Sequence, residues 1–518
     1  MLLPPAGTDA IGVAGAPVYV RHRPERTLLY QIVEEYLPEF RAQLAQKGVT
    51  LPDFVEQEFD AYLACGRLEH GFLRVRCQQC HAEQLVAFSC KKRGFCPSCG
   101  ARRMAETAAL LVDEILPRQP LRQWVLSVPY PLRFLFASRP DVMGRVLAIV
   151  HRAIATHLIR KAGFTHKTAC TGAVTQVQRF GSALNLNIHL HMLFLDGVYT
   201  ERADASLRFH RVAAPTSEEL SQLVHRLARR IGRHLERQGL LQRDVENDYL
   251  TEDAFEADAL TPLQSASITY RIALGPQQGR KVFTLQTLPA CEDDLPGTVG
   301  KEAGFSPPQG ALSWRSAPIH LVHAGVAASA HERDKAERLC RYVSRPPVAE
   351  PRLSLTSNGD IRYRLKTPYR DGTTHVIFQP LDFIARLAAL VPRPRVNLIR
   401  YYGVFAPNSR FRARVTPAGR GKGSAAAGGA PTVAANDNED GATPAQRMTW
   451  AQRLRRVFRI DVETCPKCGS AMKIIACIDE EEVIEKILAH VDAKVLQPEA
   501  AMLPPSRAPP QLEIDDWL

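Results

Sequence analysis

A chain of 518 residues is too long for one ordinary hydrophobic core, so two or three domains are expected. Its formal charge of +12 and pI near 9.2 exceed what solubility requires and suit a polyanionic partner, and with no run of 18 apolar residues no membrane span is expected. Twelve cysteines, several in Cys-x-x-Cys pairs, follow an N-terminus without the basic start of a signal peptide, so metal ligands are expected rather than a disulfide framework.

Residues 1–20 read as a loose tail. Leu28, Leu29, Ile32, Val33, Tyr36, Leu37 and Phe40 then recur at helical spacing as a core-facing stripe, which Gly48 ends. Cys77-x2-Cys80 and Cys96-x2-Cys99, 15 residues apart, have the spacing of a zinc ribbon, in which two tight knuckles give four thiolates to one structural Zn²⁺. Cys65, His70, His81 and Cys90 lie in the same stretch, so a second zinc site is open, as is simple burial of Cys90. Such a domain would carry "CKKRG" and "GARR", basic loops suited to phosphates.

A helix is expected over about Ala101–Leu116, a short strand over Trp124–Val128 and a helix in "RPDVMGRVLAIVHRAIATHLIRKAG". Next comes a hairpin: Ala173–Arg179, a turn at Gly181-Ser182, and the strand Asn185–Tyr199. In that strand Leu186, Ile188, Leu190, Met192 and Phe194 alternate with Asn187, His189 and His191, which puts both imidazoles on one face. Two ring nitrogens so placed can share one divalent cation; two satisfied surface histidines are the other reading. Gln178, on the paired strand, is either a third ligand or an ordinary polar residue.

Residues 215–243 read as helical and basic, 265–286 as a hairpin and 290–310 as a loop. A helix over about Ala328–Val343, ended by Pro346, surrounds Tyr342 with Arg333, Lys335, Arg338, Arg341 and Arg345. A hairpin with Asp371-Gly372 at its turn and a short helix, "PLDFIARLAALVP", follow. Arg393, Arg395, Arg400, Arg410, Arg412 and Arg414 are then interleaved with Tyr401, Tyr402, Phe405 and Phe411, which fits phosphate contacts plus base stacking, or else an arginine-rich surface over a small core. Residues 416–446 are too poor in apolar side chains to fold and read as a linker. Residues 447–492 hold a basic amphipathic helix and Cys465-x2-Cys468, half a zinc site to which Cys477 or His490 can contribute; 493–518 read as a tail.

A histidine pair for a metal, a tyrosine on a basic helix and polyanion affinity together fit phosphodiester transfer through a phosphotyrosine. Tyr363 and Tyr369 fall in a hairpin and Tyr401 and Tyr402 in the stacking stretch, whereas Tyr342 shares a helix face with Arg338.

"QRFGSALNLNIHLHMLFLDGVY", "LVHAGVAA", "LCRYVSRPP", "LKTPYRDGTTHVIFQPLDFIARLAALVPRPRVNL" and "GVFAPNSRFR" resemble the rolling-circle transposases of the insertion-sequence-ninety-one and common-region type, which are similar to the HUH (His-hydrophobic-His) endonucleases. The resemblance runs from about residue 28 to 415 and resumes at "MTWAQRLRRVF…CPKCG". It implies an α+β fold: a nuclease core with a central antiparallel sheet flanked by helices (117–415), preceded by a helix and a zinc-ribbon, DNA-binding domain (21–116). It also implies a metal pair His189 and His191 holding Mg²⁺ or Mn²⁺, a nucleophile Tyr342, zinc at Cys77, Cys80, Cys96 and Cys99, single-stranded DNA at element ends and target as partner, and a bacterial cytoplasmic, nucleoid-associated setting. Arg338, Arg341, Arg345, Arg393, Arg395, Arg400, Tyr401, Arg410 and Arg412 are the expected DNA contacts. With Arg at 338 and Pro at 346, one helical turn to either side of Tyr342, the chain resembles the single-tyrosine subgroup. A rolling-circle plasmid replication initiator and a non-catalytic zinc-ribbon DNA-binding protein are the competing readings.

Overall fold

The computed structural model describes residues 23–243, 248–251, 258–286, 320–420, 451–452 and 463–495. The expected N-terminal tail, the 290–310 loop, the linker beyond residue 420, most of the basic helix after residue 447 and nearly all of the C-terminal tail lie outside them. The fold is mixed α and β with antiparallel sheets flanked by helices, and it divides into two compact units. The larger takes Pro24–Cys65 and Cys90–Ala445; the smaller takes Gly66–Ser89 together with the C-terminal segment. The boundary therefore runs through the cysteine-rich stretch, which a single domain over 21–116 would have kept whole.

The larger unit begins with α1 (Leu28–Gln46) and α2 (Asp53–Ala64). Thr27 caps α1, accepting from the Tyr30 amide, and the apolar stripe buries Leu29, Val33, Leu37 and Phe40. The smaller unit interposes β1 (Phe72–Cys77) and β2 (Glu83–Ala87). α3 (Pro97–Leu110) follows, and the helix expected to run to Leu116 instead widens into a π turn over Leu111–Ile115. β3 (Leu121–Ser127), α4 (Tyr130–Ser138), α5 (Pro140–Lys161), β4 (Ala169–Cys170), β5 (Gly172–Phe180) and β6 (Leu186–Leu195) come next. After them lie β7 (Gly197–Glu201), β8 (Leu207–Arg211), α6 (Ser217–Arg237), β9 (Leu241–Arg243), β10 (Asp248–Leu250) and α7 (Thr261–Ile268). The stretch read as one hairpin over 265–286 is thus the end of α7, a tight loop in which Arg271 pairs with Lys281, and β11 (Phe283–Gln286).

β12 (His320–His323) and β13 (Ala327–Ala328) lead to α8 (Arg333–Val343), which starts later than expected because Ala327 and Ala328 pair with β3. β14 (Leu353–Leu355), β15 (Ile361–Arg364), β16 (Thr373–Phe378), α9 (Pro380–Leu390), β17 (Ile399–Gly403) and α10 (Arg412–Val415) complete the unit. The central sheet has the order β12-β3-β6-β5-β17, with β13 also on β3. The strand with the two histidines is interior, between β3 and β5. One face of this sheet (Trp124, Leu126, Ile188, Leu190, Met192, Phe194) packs on α4, α5 and α6. The other (Leu121, Val174, Leu193, Leu195) meets the end of α3 and the α8 residues Ala336 and Cys340. α5 is the helix among the described residues that is long and apolar enough to cross a membrane; here it is a core helix that buries Val146, Val150 and Ile154.

The smaller unit is a three-stranded sheet in which β1 pairs with β2 and with β18 (Met472–Ile478), and α11 (Glu481–Val495) follows. Its core is slight: Leu68, Phe72 and Ile484, with Leu85, Ile478, Ile487 and Leu488 around them.

Candidate active site and zinc centres

Alternation along β6 sends His189 and His191 to the sheet face that α8 covers. Their ring centroids are 4.9 Å apart. Register adds neighbours: His189 lies opposite Gln178 on β5 and Ser127 on β3, while His191 lies opposite Gln176 and Val125. Burial holds His189 down to about 4 and His191 well below the usual imidazole value, so both rings are neutral near pH 7 and keep a lone pair for a cation. His189 Nδ1 is 2.9 Å from the Asn187 carbonyl, and an Nδ1–H donated there leaves Nε2 unprotonated. The Gln123 amide sits 2.8 Å from His191 Nδ1; with its oxygen toward the ring it accepts from Nδ1–H and fixes the same tautomer. His191 Nε2, Gln178 Oε1 and Asn187 Oδ1 are buried without a hydrogen-bond partner. Buried polar atoms are rarely left so, and imidazole nitrogens beside amide oxygens are a donor set that suits a divalent cation.

Tyr342 stands edge-on to His191, with ring centroids 5.7 Å apart and planes at 87°. The Gln178 amide donates to the Val343 carbonyl, tying the end of α8 to the strand beneath. Of the cations expected around Tyr342, Arg345 stands at its ring, and it is joined there by Lys366. Arg345 lies 4.2 Å from its centroid and Lys366 5.6 Å. Arg338 is exposed, and Arg341 is tied 2.5 Å from Glu337. Lys366 and Gln123 were not singled out from sequence, and Asn187 was placed on the imidazole face but not as a ligand. Gln123 left a signal as a polar residue next to the expected strand Trp124–Val128.

The arginine-rich stretch divides in a similar way. Arg393 pairs with Asp258, Arg410 with Glu201, and Arg412 donates to the Phe405 carbonyl with its guanidinium over Tyr401. Arg393 and Arg412 are thereby engaged within the fold, whereas Arg410 stays exposed at the surface. Arg395, Arg400 and Tyr401 instead line an open cavity with Asn397 and Pro407.

The cysteines form two quartets, and the quartet expected from Cys77, Cys80, Cys96 and Cys99 is not one of them. In the larger unit Cys96 and Cys99 join Cys65 and Cys90; in the smaller, Cys77 and Cys80 join Cys465 and Cys468. Sulfur separations are 3.4–3.8 Å in the first (Cys90–Cys99, Cys65–Cys99, Cys65–Cys96). They are 3.4 and 3.5 Å in the second (Cys77–Cys468, Cys80–Cys465). A tetrahedral Zn²⁺ with Zn–S near 2.3 Å sets its sulfurs about 3.8 Å apart, so both quartets fit structural zinc. His70, a possible ligand of a second site, is exposed and belongs to neither quartet; Cys477 and His490 are likewise outside them.

Left-handed residues follow Cys65 (Gly66, φ 82°), Cys80 (His81, φ 57°), Cys90 (Lys91, φ 52°) and Cys468 (Gly469, φ 75°), so each quartet has two cysteines at such turns. Cys96 instead caps α3 and Cys99 lies in its first turn. In the larger quartet hydrogen bonds shared among the sulfurs push Cys65 and Cys99 down and Cys90 and Cys96 up. This zinc-capped helix also braces α8. Gly100 faces Pro346 so closely that an added Cβ would come within 2.6 Å of it, and Arg333, at the other end of α8, donates to the carbonyls of Val112, Leu116 and Pro117.

Residues 32–128 match the family model "Transposase zinc-binding domain", and residues 172–412 match the family model "Putative transposase". No curated protein and no solved structure matches the chain. The first match takes in Cys65, Cys77, Cys80, Cys90, Cys96 and Cys99, and the second takes in His189, His191 and Tyr342. The chain belongs to the insertion-sequence-ninety-one-type transposases, DNA-cleaving enzymes with a structural zinc-binding region.

Proposed function

We propose that the chain cuts and rejoins single-stranded DNA through a phosphotyrosine at Tyr342, as an HUH-type, single-tyrosine, rolling-circle transposase. The observation that carries this reading is the placement of the Tyr342 ring against His191, on a pair of neutral imidazoles with unpartnered nitrogen and amide oxygen beside them. His189, His191 and Gln178 would hold Mg²⁺ or Mn²⁺, and the bound cation would act as a Lewis acid on the scissile phosphate. Arg345 and Lys366 supply positive charge at the phenol, which must attack as phenolate. Tyr342 Oη gives its proton to water and bonds to phosphorus; the bond to the 3′-oxygen breaks, and that oxygen takes a proton from water. The product is a 5′-phosphotyrosine and a free 3′-hydroxyl, and reversal onto another 3′-hydroxyl rejoins the strand with no external energy source. Arg395, Arg400 and Tyr401 are suited to hold the flanking strand, with Arg338 exposed on the helix of the nucleophile.

Incubation with labelled single-stranded element-end DNA tests this. The wild type is expected to form a covalent adduct that maps to Tyr342. Tyr342→Phe should bind without reacting, and His189→Ala or His191→Ala should abolish cleavage while leaving binding largely intact. An adduct on another tyrosine, or normal-rate cleavage in excess chelator, would refute the assignment; binding with no adduct would favour a non-catalytic DNA-binding protein.

A further inference from the structure

We infer that the outer face of α5 and α6 is a second nucleic-acid surface, which grips the phosphate backbone of duplex DNA without reading its sequence. On α6, Arg226, Arg230, Arg233 and Arg237 recur at helical spacing and form one stripe about 16 Å long. Facing it on α5 are Arg145 and Arg152, seven residues and thus two turns apart. Arg152, Arg230, Arg233 and Arg237 line one cavity of about 310 Å³ with Ile149, room for a phosphate group and several waters at about 30 Å³ each.

These guanidinium groups are uncompensated. Arg145, Arg152, Arg230, Arg233 and Arg237 are all exposed, and none is in an ion pair among the described residues. Apart from Glu236, the acids of the two helices found in ion pairs are elsewhere: Asp141 meets Arg139, and Glu219 meets Lys161 at the far end of α6. Glu236 is the one carboxylate on this part of α6. His234, between the rows, is held below its usual value first by burial and then by Arg145 and Arg237, a sign of the local positive field. Three arginines elsewhere in the unit are neutralised instead: Arg341, Arg393 and Arg410 have acidic partners.

The lining decides the kind of nucleic acid. It has no aromatic ring, whereas the stretch around Arg400 carries Tyr401, so bases have nothing to stack on and the backbone is what remains to be held. The surface lies across the central sheet from Tyr342, since α5 and α6 pack on the opposite face from α8. It can therefore hold duplex while a single strand occupies the catalytic side. This rests on the chain acting on DNA, and not on Tyr342 being its nucleophile.

The test uses the full-length zinc-loaded protein and a labelled random-sequence duplex of about 30 base pairs, titrated by fluorescence anisotropy across a range of salt. The triple variant Arg152→Ala, Arg230→Ala, Arg233→Ala should bind at least 10-fold more weakly, and its salt slope should fall by about 2 to 3, near 0.9 per lost phosphate contact. The matching triple Lys variant should retain most of both. Cleavage of a short single-stranded oligonucleotide should be unchanged in either; the duplex measurement is independent of whether cleavage occurs at all. An unchanged duplex affinity and slope in the Ala variant would overturn the proposal. So would equal loss in the Lys variant, or loss confined to single strands or to anionic lipid vesicles.

Discussion

The two cysteine quartets have the same chemistry in unlike surroundings. In the larger unit, Cys65, Cys96 and Cys99 are buried beside Tyr62, Phe59 and Phe95, within a core that also includes α1, α2 and α9. In the smaller unit, Cys80 and Cys468 are exposed, and the apolar core behind the quartet is a handful of residues. Zinc in the first case fixes the start of a helix inside a structure with other support. In the second it takes the place of a core, holding β1 and β18 segments whose cysteines are 391 and 385 residues apart in the chain.

The sharpest way to break this comparison is to remove the late half of the smaller site. Cys465→Ser with Cys468→Ser should unfold the smaller unit, since structural zinc contributes on the order of 10 kcal/mol to domains of this kind. Zinc content by native mass spectrometry should fall from two to one, and hydrogen-exchange protection of β1 should vanish. Retention of both zinc ions would show that the C-terminal knuckle is not a ligand pair.

The converse change, Cys99→Ser, should leave the apolar core of α1 and α2 folded but loosen α3 and, through it, α8. A misplacement of about 1 Å can cost roughly 100-fold in rate, so cleavage should drop by about that factor while most α-helical signal survives. Wholesale unfolding instead would mean that this zinc, too, substitutes for a core.

The units should also differ toward acid. His70, His81 and His490, the described histidines of the smaller unit, are exposed, whereas burial holds His151 of the larger unit down to about 4. Its folded value is below the ordinary 6.5, so the unfolded chain takes up a proton that the folded chain refuses between those values. Stability is full above pH 6.5, falls as pH drops, and the loss is complete below about 4, at a cost of at most about 3 kcal/mol. His151 stacks between Phe194 and Tyr402, with centroids 5.3 and 4.5 Å away, so His151→Phe keeps the stack and should flatten this part of the stability–pH curve. Parallel denaturation curves at pH 7 and pH 4.5 for the two proteins measure the difference, and equal acid losses would contradict it.

The smallest expected effect separates helix position from metal binding. Gly100→Ala sets a methyl against Pro346 and should cost about 1–3 kcal/mol, lowering adduct yield with both zinc ions still bound. Zinc loss in this variant would show that the contact supports the quartet rather than α8.

What the sequence determined by itself is local. The alternation in β6 put His189 and His191 on one face, because side chains in a strand repeat every two residues; helical spacing around Tyr342 and the tight turn at Cys77-x2-Cys80 were equally legible. Those features depend on neighbours a few residues away. What only the tertiary structure decided is which local pieces meet. Knuckle spacing does not say which two knuckles share a zinc: the pairing of β1 with β18, from opposite ends of the chain, set Cys465 and Cys468 beside Cys77 and Cys80, and left Cys96 and Cys99 to Cys65 and Cys90. In the same way Lys366, from the loop after β15, and not Arg338, one turn away on the same helix, came to stand at the Tyr342 ring. Sequence distance controls the first kind of contact, and strand register and helix packing control the second.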